Sequence, residues 1–143
     1  MRLIPISGHE ETNFRLKYRN WIAPSNTTSD PRTVNMVETC RMMAELVGHL
    51  EDNTAGPDVY AFTSMFELVL NDRDTSKERM VLINAKSERW CVPEGYEIAY
   101  RVAPPWFHTI GYAEDVTAAG ELVLEALRLA VRDEWEPYVE THG

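Results

Sequence analysis

Four histidines, His9, His49, His108 and His142, are the first residues to weigh for chemistry, and they fall in four separate stretches of the chain. Two imidazoles share a helix face only at an i, i+4 type spacing, which no pair has, so no metal site is expected. His9-Glu10-Glu11 sets an imidazole beside carboxylates, but it follows Ser7-Gly8 and reads as a polar turn. A nucleophile needs an oriented base beside it. The chain lacks the Gly-x-Ser-x-Gly elbow, the Gly-x4-Gly-Lys phosphate loop and the dinucleotide fingerprint, and its seven glycines are dispersed. No catalytic residue and no cofactor is therefore assigned.

Two weaker constellations remain. Glu67 is the one acid inside a strongly apolar run, where burial could raise its pKa for acid or base work. A ligand pocket between sheet and helices would place it with Tyr60, Phe66, Tyr96 and Tyr100, while the plainer expectation pairs it with Arg79 or Arg101 on a neighbouring strand. Arg15, Lys17 and Arg19 alternate beside Trp21, the combination that single-stranded nucleic acid uses for backbone contact and stacking. Residues 1–22 carry four basic and two acidic side chains, a balance of +2, whereas the rest carries ten and twenty-one, a balance of −11. That field repels a polyanion, so nucleic acid and anionic membrane are not expected as partners.

The best interaction surface is Ala103-Pro104-Pro105-Trp106-Phe107-His108. Two prolines hold the backbone extended ahead of rigid aromatics, which have little entropy to lose on binding. Trp90 could flank them, and Glu114 and Asp115 would supply an acidic rim. Trp90, Trp106, Phe107, His108, Glu114 and Asp115 are the candidate partner-binding residues.

The elements that must position these groups follow from hydrophobic periodicity. Residues 2–6 form a short apolar run, and residues 13–22 alternate as a half-buried strand with Phe14, Leu16, Tyr18 and Ile22 on one face. Asp30-Pro31 caps a helix over residues 32–51, whose stripe is Met36, Cys40, Met43, Val47 and Leu50. Residues 59–70 read as one continuous central strand, followed by strands at 80–85, 88–92, 96–102 and 106–112. A second helix over 115–135 is capped by Asp115, buries Val116, Ala119, Val123, Ala126, Leu127 and Ala130, and stops before Pro137.

The expected fold is α+β: a mainly antiparallel sheet of five to six strands with two amphipathic helices on one face, in the order ββαββββα, forming a single domain over residues 1–143 with frayed last residues. Cys40 and Cys91 match no disulfide framework, and no apolar run approaches the roughly 20 residues of a membrane span. A cytoplasmic protein is expected. With 23 acidic against 14 basic side chains, its most concrete function is that of a non-catalytic inhibitor or immunity-type module that blocks a basic protein partner. The alternatives are a secretion or assembly chaperone acting as a homodimer, and a small enzyme or ligand-binding protein.

Overall fold

In a computed structural model, which describes residues 1–21, 31–77, 79–86, 95–103 and 106–142, the chain runs β1 (Leu3–Pro5), α1 (Phe14–Asn20), α2 (Pro31–Asn53), β2 (Val59–Ser64), β3 (Glu67–Asn71), β4 (Val81–Lys86), β5 (Gly95–Ala103), β6 (Trp106–Ala113) and α3 (Val116–His142). This is an α+β fold with one six-stranded sheet, in which each strand lies beside its neighbour in sequence. The sheet is mixed, where the sequence predicts a mainly antiparallel one, because β1 pairs with β2 in parallel. Parallel neighbours need a long connection to return the chain to the same end, and the segment carrying α1 and α2 provides it.

The expected order also changes at two places. Residues 13–22 are predicted as a strand, yet α1 occupies most of them. Phe14 and Tyr18 satisfy both readings, since positions four apart share a face in a strand and in a helix. Leu16 separates the two, because it is 51% exposed while Phe14 and Tyr18 are buried. Asn13 starts the helix by accepting the Leu16 N–H at 3.1 Å, and Trp21 completes the helical stripe, its ring edge-on to Tyr18 at 5.6 Å and to Phe66 at 5.1 Å.

The second change is at residues 59–70, which form two strands rather than one. Ser64 pairs with Glu67, leaving Met65 and Phe66 as a two-residue hairpin loop. Such loops call for a left-handed residue, usually glycine or asparagine; here Met65 adopts φ 55°. No sequence signal marks the turn.

Both long helices are close to expectation at their start. In α2, Cys40, Met43, Val47 and Leu50 are fully buried, and Thr54 closes the helix end by donating to the His49 carbonyl at 3.1 Å. In α3, the Asp115 carboxylate caps the Ala118 N–H at 2.8 Å. That helix continues to His142 through Pro137, beyond the expected stop at 135; proline removes one backbone donor from the helix ladder without ending it.

The core is one cluster. Alternate strand residues, among them Leu68, Leu70, Val81, Ile83, Ile98 and Tyr100, meet Phe14 and Tyr18 of α1, the α2 stripe, and Ala119, Val123, Ala126 and Ala130 of α3. Burial pushes the Cys40 thiol up to about 11, so it stays protonated and inert at neutral pH. The strand expected at 88–92, Cys91, the Pro104-Pro105 pair and Asp30, the expected cap of α2, lie outside the described residues. Among the described residues, no helix is long and apolar enough to cross a membrane.

Candidate functional site

A cleft of about 570 Å³ opens between α2, the start of β5 and the junction of β6 with α3, lined by Glu38, Arg41, Met42, Glu45, Gly95, Tyr96, Glu114, Asp115 and Val116. The helix contributes at i, i+3, i+4 and i+7, one continuous face next to the buried stripe. Gly95, at φ +149°, brings the opposite wall close: a Cβ built there overlaps the Ala113 carbonyl oxygen and lies 3.3 Å from the Glu114 Cα. Only a residue without a side chain lets the β6–α3 turn approach β5 this closely. The Tyr96 hydroxyl then ties β5 to α2 by donating to the Met42 carbonyl at 2.7 Å.

Electrostatically the cleft is negative, with four carboxylate side chains against one guanidinium. Arg41 is engaged by its own helix, donating through Nε to Glu38 at 3.1 Å and through Nη1 to Glu45 at 3.4 Å. Its pKa is held above the usual value by the hydrogen bond to Glu38 and that residue's charge. Burial, reinforced by the charge of Glu45, raises the Tyr96 phenol well above its ordinary pKa, so it remains a neutral donor. On the facing wall Glu114 and Asp115 are both exposed, and the Asp115 carboxylate also accepts the Ala118 N–H. The lining holds no serine, cysteine or histidine to act as nucleophile or imidazole base. What it can do is bind positive charge. Among the described residues, no group of three or more His, Cys, Asp and Glu side chains is placed to hold a metal ion.

Of the candidate partner-binding residues, Trp106 is 72% exposed, Phe107 is half-buried, and His108 is exposed with its ring 5.8 Å from that of Tyr100. Trp90 lies outside the described residues. Glu114 and Asp115 do not rim these aromatics: they stand just past the far end of β6, about 25 Å away at the rise of an extended strand. Between them Tyr112 is 53% exposed, its hydroxyl hydrogen-bonded to Glu97 on the opposing strand.

The residues of the expected ligand pocket are not brought together. Register and alternation place Tyr96 and Tyr100 on the core side of the sheet and Tyr60 and Glu67 on the other, while Phe66 sits in the hairpin loop against Trp21. Glu67 accepts a hydrogen bond from Asn84 at 3.1 Å, and Arg79 instead donates to Ser64 at 3.3 Å and lies over the Phe62 ring. Arg15, Lys17 and Arg19 do not form a basic strand face, because spacing by two on a helix spreads them around its circumference. Arg15 turns to α2, where it meets Asp52 at 3.0 Å and Glu51 at 3.8 Å.

Sequence reasoning missed Glu38, Arg41 and Glu45, which with Met42, a methionine the sequence offers for an adaptable groove or for core packing, form this wall of the cleft. The available signal was their 3-1-3 spacing alongside the α2 stripe, but nothing local says which element faces them. No protein-family model, curated protein or solved structure matches this chain.

Proposed function

We propose that this protein is a non-catalytic acidic binding module that captures a basic protein partner, acting as an inhibitor or immunity-type protein. The observation that carries the reading is the negative cleft, in which the one cation is already paired within α2 while Glu114 and Asp115 on the facing wall are exposed. A net charge of −9 speeds encounter with a basic partner, and the cleft offers its lysine or arginine side chains a concave seat. The core cluster shared by α2, α3 and the strands supports both long helices lying on one face of the sheet, with β6 at the sheet edge beside the cleft.

The test is capture from source-cell lysate at low and high salt, comparing wild type with Glu114→Gln/Asp115→Asn. Asparagine caps a helix about as well as aspartate, so the variant keeps the α3 start. A basic protein retained at low salt, released at high salt and weakened by the substitutions supports the reading. Retention indifferent to both salt and substitution refutes it.

The convergence of α2, the start of β5 and the β6–α3 junction on one open cleft favours a second reading, a small cationic ligand. Thermal stabilisation by a polyamine such as spermine, abolished in the same variant, together with no protein captured, would establish it instead.

A further inference from the structure

Resting on the protein-binding reading, we propose that β6 accepts an extended, lysine- or arginine-bearing segment of the partner as an added strand, anchored at Trp106 and held at the other end by Glu114 and Asp115. Among the described residues β6 has one strand neighbour, β5, so it forms an edge of the sheet with outward-facing backbone donors and acceptors. Edge strands are usually blunted by lysine, glutamate or proline within them. The sequence Trp-Phe-His-Thr-Ile-Gly-Tyr-Ala contains none of these residues; its register against β5 shifts opposite Ile98 and Ala99, which leaves a paired stretch on either side of the shift, and Trp106 and Tyr112 are exposed along it.

Geometry selects the form of the occupant. The Trp106 and acidic ends of the surface lie about 25 Å apart along one strand, so an occupant touching both must itself run extended beside β6. Charge selects its chemistry: β6 carries no Asp, Glu, Lys or Arg, but it ends at Glu114 and Asp115 beside the negative cleft. A second copy fits less well. It would bring −9 against −9.

The experiment uses the full chain and a fluorescent synthetic peptide alternating lysine with valine, alongside the same peptide N-methylated at every second residue, which keeps the charge but cannot complete a strand ladder. Expected are binding of the parent peptide, an affinity loss of about tenfold or more on N-methylation, a similar loss in Trp106→Ala, and new hydrogen-exchange protection at residues 107–112. At 72% exposure, Trp106 can be truncated without unfolding the domain. Equal binding of the two peptides would overturn strand addition while leaving the basic-partner reading intact. No binding of either at low salt would overturn both. A wild-type dimer in sedimentation that becomes monomeric in Trp106→Ala, with no peptide bound, would assign the edge to a second copy and overturn the proposal.

Discussion

Replacing Gly95 with alanine tests the packing that builds the cleft. The new Cβ would overlap the Ala113 carbonyl oxygen and sit 3.1 Å from its carbon, and all three nearest atoms are backbone, which cannot rotate aside. Glycine also holds φ +149° there, a region that costs other residues about 1–3 kcal/mol. Forcing extra volume into a packed site adds about 1–3 kcal/mol, and the stiffer unfolded chain returns about 0.4–1 kcal/mol. The sum is a net loss of about 3 kcal/mol, or roughly 10 °C in melting temperature for a domain of this size. Gly8 is the control, because it too has a positive φ of 89° but nothing lies within 4 Å of its built Cβ. Gly8→Ala should cost only the conformational part, about 1 kcal/mol. Urea unfolding followed by circular dichroism measures both, with an unchanged m-value confirming that stability alone has moved. Equal losses in the two variants would refute the close approach of β5 to the β6–α3 turn, and with it the wall of the cleft.

Two further outcomes follow from buried and paired groups. Tyr18→Phe removes the hydroxyl that donates to the Phe66 carbonyl at 3.1 Å, tying α1 to the β2–β3 loop; a loss of about 1–2 kcal/mol is expected in urea titration, and a neutral result would show that water replaces the bond freely. The Ser7 hydroxyl and backbone N–H both donate to Asp74, holding its carboxyl below the ordinary value of 3.8. A depressed folded pKa gives stability that is full above the unfolded value and is lost as pH falls through the folded one. Ser7→Ala should therefore raise the Asp74 midpoint in a carboxyl NMR titration, and acid unfolding curves of Asp74→Asn and wild type should converge at low pH.

Periodicity by itself determined the α+β class, the α2 stripe through Cys40, Met43, Val47 and Leu50, and the Asp115 cap of α3, because a long apolar pattern and its capping residue are local properties. It failed where local patterns were degenerate. Phe14 and Tyr18 fit strand and helix equally, and only docking on α2 and Phe66 made them helical. The Met65 turn carries no turn residue, so pairing of β2 with β3 imposes a backbone conformation that its own side chain disfavours. Net charge and the exposed-aromatic candidates were legible as residue types, but their arrangement was not. That Glu38, Arg41 and Glu45 share a cleft with Glu114 and Asp115, and that Trp106 stands a strand's length away from them, depends on contacts between residues far apart in the chain. Those distances are decided when the helices close over the sheet, and no local spacing encodes them.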